Sequence, residues 1–132
     1  RSTYLPDRVE ALAGDGYATS LGYLEHNREI VKRFMKAVTE ATKFFFEDKE
    51  ESKKILSKWL QENDQESLEQ HYQDWSSVAL RIPETSVEQV RDVLETIAPF
   101  TPEAANADPR IFVDNSIIEE LESQGFFRSI WG

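Results

Sequence analysis

The stretch GYATSLGYLEHNREIVKRFMKA, residues 16–37, decides how the chain is read. It opens on small and aromatic residues of extended character, crosses the polar triplet EHN at 25–27, and enters a run with helical spacing. Residues 17–24 are therefore expected as a short strand, interrupted by Gly22. Asn27 is expected as the N-cap of a long helix, since its side-chain oxygen can accept from an amide one turn in. Ile30, Phe34, Val38, Ala41 and Phe45 fall on one stripe, with Val31, Met35 and Phe46 beside it. Lys32, Arg33, Lys36, Glu40 and Lys43 take much of the remainder, and the helix ends near Asp48. A strand that feeds a helix through a short turn builds a binding edge in some folds and plain scaffold in others.

Upstream, residues 1–15 form a mixed lead-in punctuated by Pro6 and Gly14. Downstream the pattern stays helical. Ile55, Leu56, Trp59 and Leu60 give a second helix its apolar face. Asn63 with Glu66 matches a capping box, which starts a third helix with the stripe Leu68, Tyr72, Trp75 and Ala79. RIPETS at 81–86 breaks it, because the residue before a proline is pushed out of the helical region. Ser86 and Gln89 form a further capping box for a fourth helix through Val87, Val90, Leu94 and Ile97, closed by Pro99. TPEAANADPR at 101–110 reads as a loop with one helical turn opened by Pro102. IFVDNSIIEELESQG at 111–125 gives a fifth helix, capped by Asp114 or Ser116 and stopped by Gly125. The tail FFRSIWG is too apolar to hang free and is expected to dock. The expected fold is thus predominantly α, about five helices plus one short strand, with residues 1–132 as a single structural unit.

Bulk composition narrows the function. The chain carries 15 Lys and Arg against 25 Asp and Glu, a net charge of −10. Neutralising phosphates needs clustered cations, so no nucleic acid is expected as a partner, and anionic lipid is disfavoured on the same ground. Cysteine is absent, which removes disulfides, thiolate metal sites and thiol nucleophiles. No apolar run approaches the length of a membrane span.

Catalytic and metal chemistry find little to stand on. The two histidines, His26 and His71, lie far apart in sequence, and Leu68 occupies the position where an ExxH metal motif ending at His71 needs a carboxylate. No nucleophile elbow or phosphate-cradling glycine loop is present. No catalytic residue, metal ligand or cofactor is therefore expected. Trp59 and Trp75 sit on helical apolar stripes and are expected in the core. Phe44, Phe45 and Phe46 are consecutive, so two are expected to turn inward and the third toward a neighbouring surface. Tyr17 and Tyr23 flank the strand-to-helix turn and are the aromatics best placed to approach a ligand.

The order of these segments resembles the late region of ABC-transporter solute-binding proteins of the nitrate/sulfonate/taurine and thiamine-precursor class. That family runs a strand of the type y-v-t-t into N-P-E-x-V-x-x-F-x-x-A. Tyr17, Ala18 and Thr19, then Asn27, Glu29, Val31, Phe34 and Ala37, carry the match. The closing segment DPRIFVDNSIIEELESQGFF is similar to the family's final D-L-V-D-x-S-F-L-E-E-L helix through Asp114, Ser116, Ile117, Glu119, Glu120 and Leu121. Arg28 stands where the family usually has proline, which removes a preset φ and leaves the cap intact.

The resemblance covers residues 16 to about 127 and implies the C-terminal portion of a two-lobed α/β type 2 periplasmic-binding-protein fold. It implies capture of a small organic solute or anion by lobe closure and delivery to a membrane permease. This chain would supply mainly helical scaffold, with Tyr17, Thr19 and Ser20 as the ligand-binding edge. The implied location is periplasmic or extracellular, the alternatives being a free exported protein and one lipid-anchored through a missing N-terminus. Apolar faces cut from a larger fold also imply self-association of the isolated chain. The alternatives are a free-standing helical protein–protein interaction domain, and an enzyme related to the binding-protein fold.

Overall fold

A computed structural model describes residues 16–132, so the lead-in at 1–15 lies outside the described residues. Helix α1 spans Leu21–Glu47 and starts at Ser20, whose hydroxyl accepts from the Tyr23 amide at 3.2 Å. The expected strand at 17–24 is therefore not formed: 16–20 is an irregular lead and 21–24 is already helical. Among the described residues there is no strand at all. An isolated extended segment leaves its amides and carbonyls without a ladder, whereas a serine cap lets the following turn close its own bonds. Asn27 is not the cap. It lies inside α1 with non-helical φ −129° and ψ 28°, and its side-chain amide donates to the Tyr23 carbonyl at 3.1 Å. The polar triplet thus marks a kink rather than a start.

Asp48 ends α1 and begins α2, Lys49–Leu60: its amide donates to Phe44 O at 2.9 Å while its carboxylate accepts from Glu51 N at 3.1 Å. Helix α2 closes on Gln61 in the left-handed region at φ 55°. The next cap falls one residue later than the sequence suggests. Asp64, not Asn63, accepts from Ser67 N at 2.7 Å and opens α3, Gln65–Val78. Glu62 accounts for the shift, since its carboxylate takes the amides of Asn63 and Asp64 at 2.7 and 2.9 Å and folds both into the turn. The Ser86–Gln89 capping box is present as expected at the head of α4, Val87–Ile97.

Two short 3-10 helices follow, Pro102–Asn106 and Pro109–Phe112. The second lies in a stretch expected to join the fifth helix. Pro109 fixes one tight turn, and α5 spans only Ser116–Ser123. Neither candidate is the cap: Asn115 holds that position without a side-chain cap bond, and Asp114, one residue earlier, accepts from Ser116 N at 2.9 Å. Gly125 stops α5 with φ 72°, a conformation glycine adopts without a Cβ clash. The tail forms α6, Phe126–Trp131, and docks as its composition demands: Lys43 Nζ donates to Ile130 O at 2.6 Å, and Trp131 Nε1 to Arg81 O at 3.0 Å. The fold is thus predominantly helical, with six α-helices among the described residues.

The core forms where α1, α5 and α6 meet. Met35, Ile117, Ile118, Leu121 and Phe127 are buried, with Leu24, Val31, Ile82, Phe126 and Trp131 packed against them. A second contact holds α1 to α3, where the Phe45 ring stacks on Tyr72 at 4.7 Å and the Tyr72 hydroxyl donates to the Phe45 carbonyl at 3.1 Å. Phe45 and Phe46 turn partly inward and Phe44 outward, the division expected of three consecutive aromatics.

Two core expectations are overturned. Trp59 is 77% exposed and Trp75 42%, so neither is a core residue. Ile30 and Phe34 are likewise about half exposed, at 47% and 49%. The stripe that α1 turns to the core is rotated by one position, through Leu24, Val31, Met35 and Thr42. The buried Thr39 and Thr42 hydroxyls fit that interior by donating to Met35 O and Val38 O one turn back.

Candidate functional site

The exposed side of α1 faces an open groove of about 640 Å³. Its floor is Ile30 and Phe34, with Val31 and Met35 beneath. One wall is the lead into α1, through Tyr17, Ala18, Thr19, Leu21 and Tyr23. The other wall is the loop at 111–115 with Pro83 and Thr85. Tyr17 packs edge-on against Phe34, ring centroids 5.2 Å apart, so the lead runs back along the helix it starts.

Of the three residues expected at a ligand edge, Tyr17 and Thr19 line this groove and Ser20 does not. The Ser20 hydroxyl is engaged with the Tyr23 amide instead. Tyr23, which also flanks the turn, lines the groove as well. Ile111, Phe112, Thr85 and Asn115 are the contributors that sequence reasoning missed. The signal available was the apolar pair Ile111-Phe112 directly after a proline turn, which helical spacing absorbed into the fifth helix.

Asn115 fixes the far wall. Its amide nitrogen donates to Thr85 O at 2.8 Å and its oxygen accepts from Thr85 N at 3.3 Å, a two-point bond between segments distant in sequence. Beside it, the Ser116 hydroxyl and amide hold the Asp114 carboxyl below its usual value, so it is charged at neutral pH. The described lining carries this one carboxylate and no histidine, lysine or arginine. The site is apolar, with hydroxyls from threonine and tyrosine and a single negative charge.

The floor is braced from outside the groove. Arg28 donates to Ser116 Oγ at 3.0 Å and to Glu120 at 3.1 Å, and Lys32 donates to the other Glu120 oxygen at 2.7 Å. Lys32 and then Arg28 depress the Glu120 pKa, while Glu120 and then Glu29 raise that of Lys32. These contacts fasten α1 to α5 from Arg28 onward.

The two histidines stay apart, His26 on α1 with Nδ1 2.7 Å from Gly22 O and His71 exposed on α3. Among the described residues no cluster of His, Asp or Glu is placed to hold a metal ion. No helix of the described residues is long and apolar enough to cross a membrane. Comparison of the chain with protein families, with curated proteins and with solved structures gives no match.

Proposed function

We propose that this chain takes part in solute capture, as the solute-binding component of an ABC import system, and performs no covalent chemistry. The observation that carries the proposal is the groove. A concave, mainly apolar site of this volume with a few polar groups suits a small organic molecule. Tyr17 and Thr19, two of the three residues that the family resemblance puts at the ligand edge, lie in its wall. Of the two solute classes expected, the lining favours the organic solute over the anion. Asp114 repels a carboxylate or sulfonate, and no cationic side chain among the described lining residues offsets it, although Arg28 acts on Asp114 from outside that lining. The proposed solute has an apolar body and is neutral or carries an amine. In this reading a second lobe closes on the solute, a membrane permease receives it, and the protein works in the periplasm or outside the cell.

The test is a charge series of one shape: phenethylamine, phenethyl alcohol and phenylacetate, followed by amide and methyl NMR. The first two are expected to shift resonances of Thr19, Phe34 and Asn115, and phenylacetate to shift none. Shifts scattered over the surface, or none with any of the three, would sink the proposal.

A second reading, a helical protein–protein interaction domain, is favoured by one observation. Apolar side chains outside the groove are also uncovered, including Trp59 and Leu60 on α2 and Phe100 after α4. A helix-in-groove partner uses such faces. Peptide shifts centred on α2 with the groove untouched would favour it.

A further inference from the structure

The kink at Asn27 divides α1 into two parts that are held differently. From Arg28 onward the helix is fastened to α5 through Ser116 and Glu120. Before Asn27 the turn is fastened to itself. Tyr23 N donates to Ser20 Oγ, Leu24 N to Ser20 O, His26 Nδ1 lies on Gly22 O, and Asn27 Nδ2 donates to Tyr23 O. None of these bonds reaches another element, and among the described residues of the turn Leu24 is the one packed, partly buried, against the core cluster. The boundary between the two regimes coincides with the one residue of α1 that lacks helical φ and ψ.

The same turn carries Leu21 and Tyr23 into the groove wall, and the chain before it carries Tyr17 and Thr19. We infer that residues 17–26 move as a unit about Asn27 and gate the groove. This rests on the groove being the solute site, and it adds how the site opens. In the kinked arrangement the lead lies along α1, with Tyr17 against Phe34. Straightening the helix at Asn27 carries the turn along the α1 axis and lifts the lead from Ile30 and Phe34. Asn27 suits a hinge because its side-chain amide supplies a donor to the Tyr23 carbonyl where the backbone departs from helical geometry. Gly22 lies within the moving turn, and a Cβ there would meet nothing within 4 Å. The turn can therefore be stiffened without touching the wall.

Absence of cysteine makes the test direct, because introduced thiols label cleanly. Spin labels at Ala18→Cys and Ile111→Cys span the groove mouth, and labels at Arg33→Cys and Glu122→Cys span the braced α1–α5 contact as a control. Two distances are expected across the mouth and one across the control, with phenethylamine enriching the shorter mouth distance. Asn27→Ala favours a continuous helix and is expected to enrich the longer distance about threefold. Gly22→Ala stiffens the turn and is expected to leave the ratio unchanged, since the unit pivots without fraying. A single mouth distance in all samples would overturn the gate, and so would a ratio that responds to Gly22→Ala but not to Asn27→Ala. Two distances that obey Asn27 while phenethylamine fails to bind would keep the gate and remove the solute reading.

Discussion

Leu121 is one of the most deeply buried side chains among the described residues. It is fully buried, at 0% exposure, where α5 meets α1 and α6. Truncating such a side chain removes its transfer energy and leaves a cavity that a close-packed interior only partly fills. Leu121→Ala is expected to destabilise the protein by about 2–5 kcal/mol, read as a lowered denaturant midpoint at unchanged slope. A loss under ~0.5 kcal/mol, the scale of an ordinary surface change, would mean that the α1–α5–α6 junction is not the core. Trp59 makes the contrast, since a larger side chain of greater hydrophobicity contributes less when most of it stays in water.

Between elements, both junctions carry charge: Arg28 and Lys32 on Glu120 join α1 to α5, and a lysine pair on Glu69 joins α2 to α3. Glu69 on α3 accepts from Lys49 and Lys53 near the start of α2, and from Gln73 on its own helix. Lys49, then Gln73, pull the Glu69 carboxyl down from 4.5 to about 2. Its folded pKa lies below its unfolded one, so its contribution is present above the unfolded value and is lost as pH falls through the folded value. The α2–α3 contact should therefore loosen between about pH 4.5 and about pH 2. Hydrogen exchange should report this as rising exchange in α2 and α3, and Glu69→Gln should remove most of the acid dependence there. An α2–α3 exchange rate that is flat across that window in the parent protein would refute the assignment. The pair is exposed, so its effect is also expected to shrink as salt is added.

Over the described residues as a whole, large apolar side chains stay exposed on several elements. Trp59, Phe100, Ile111 and Phe112 are all more than half exposed and lie on different elements. Faces of this kind are rarely left in water. The protein is accordingly expected to self-associate, against the mutual repulsion of a net charge of −10 on each copy. Light scattering should show a mass above the monomer that grows with protein concentration and with salt, because salt screens the repulsion. Trp59→Glu should shift the mass toward the monomer. A clean monomer at high concentration and high salt would contradict the expectation.

What the sequence determined by itself was local. The Ser86–Gln89 capping box, the stop at Gly125 and the helical character of the segments that became α2, α3 and α4 follow from bonds within a few residues, and each stands in the structure. Such bonds depend on side-chain type and spacing, which a sequence displays in full. Where two local solutions competed, sequence misjudged the winner: Ser20 outcompeted Asn27 as a cap, and Asp64 outcompeted Asn63 because Glu62 claimed the intervening amides. On α3 the expected stripe does turn inward at Leu68 and Tyr72, but on α1 tertiary structure decided which side is inside. The stripe through Ile30 and Phe34 and its neighbour through Val31 and Met35 differ by one residue, and both are apolar enough to bury. Docking of α5 and α6 chose the second stripe, and the first became the floor of a groove. Its far wall joins Thr85 to Asn115 across a long loop of chain, a contact that no local pattern encodes. Periodicity fixes that a helix has an apolar face, and the direction of that face belongs to whatever packs against it.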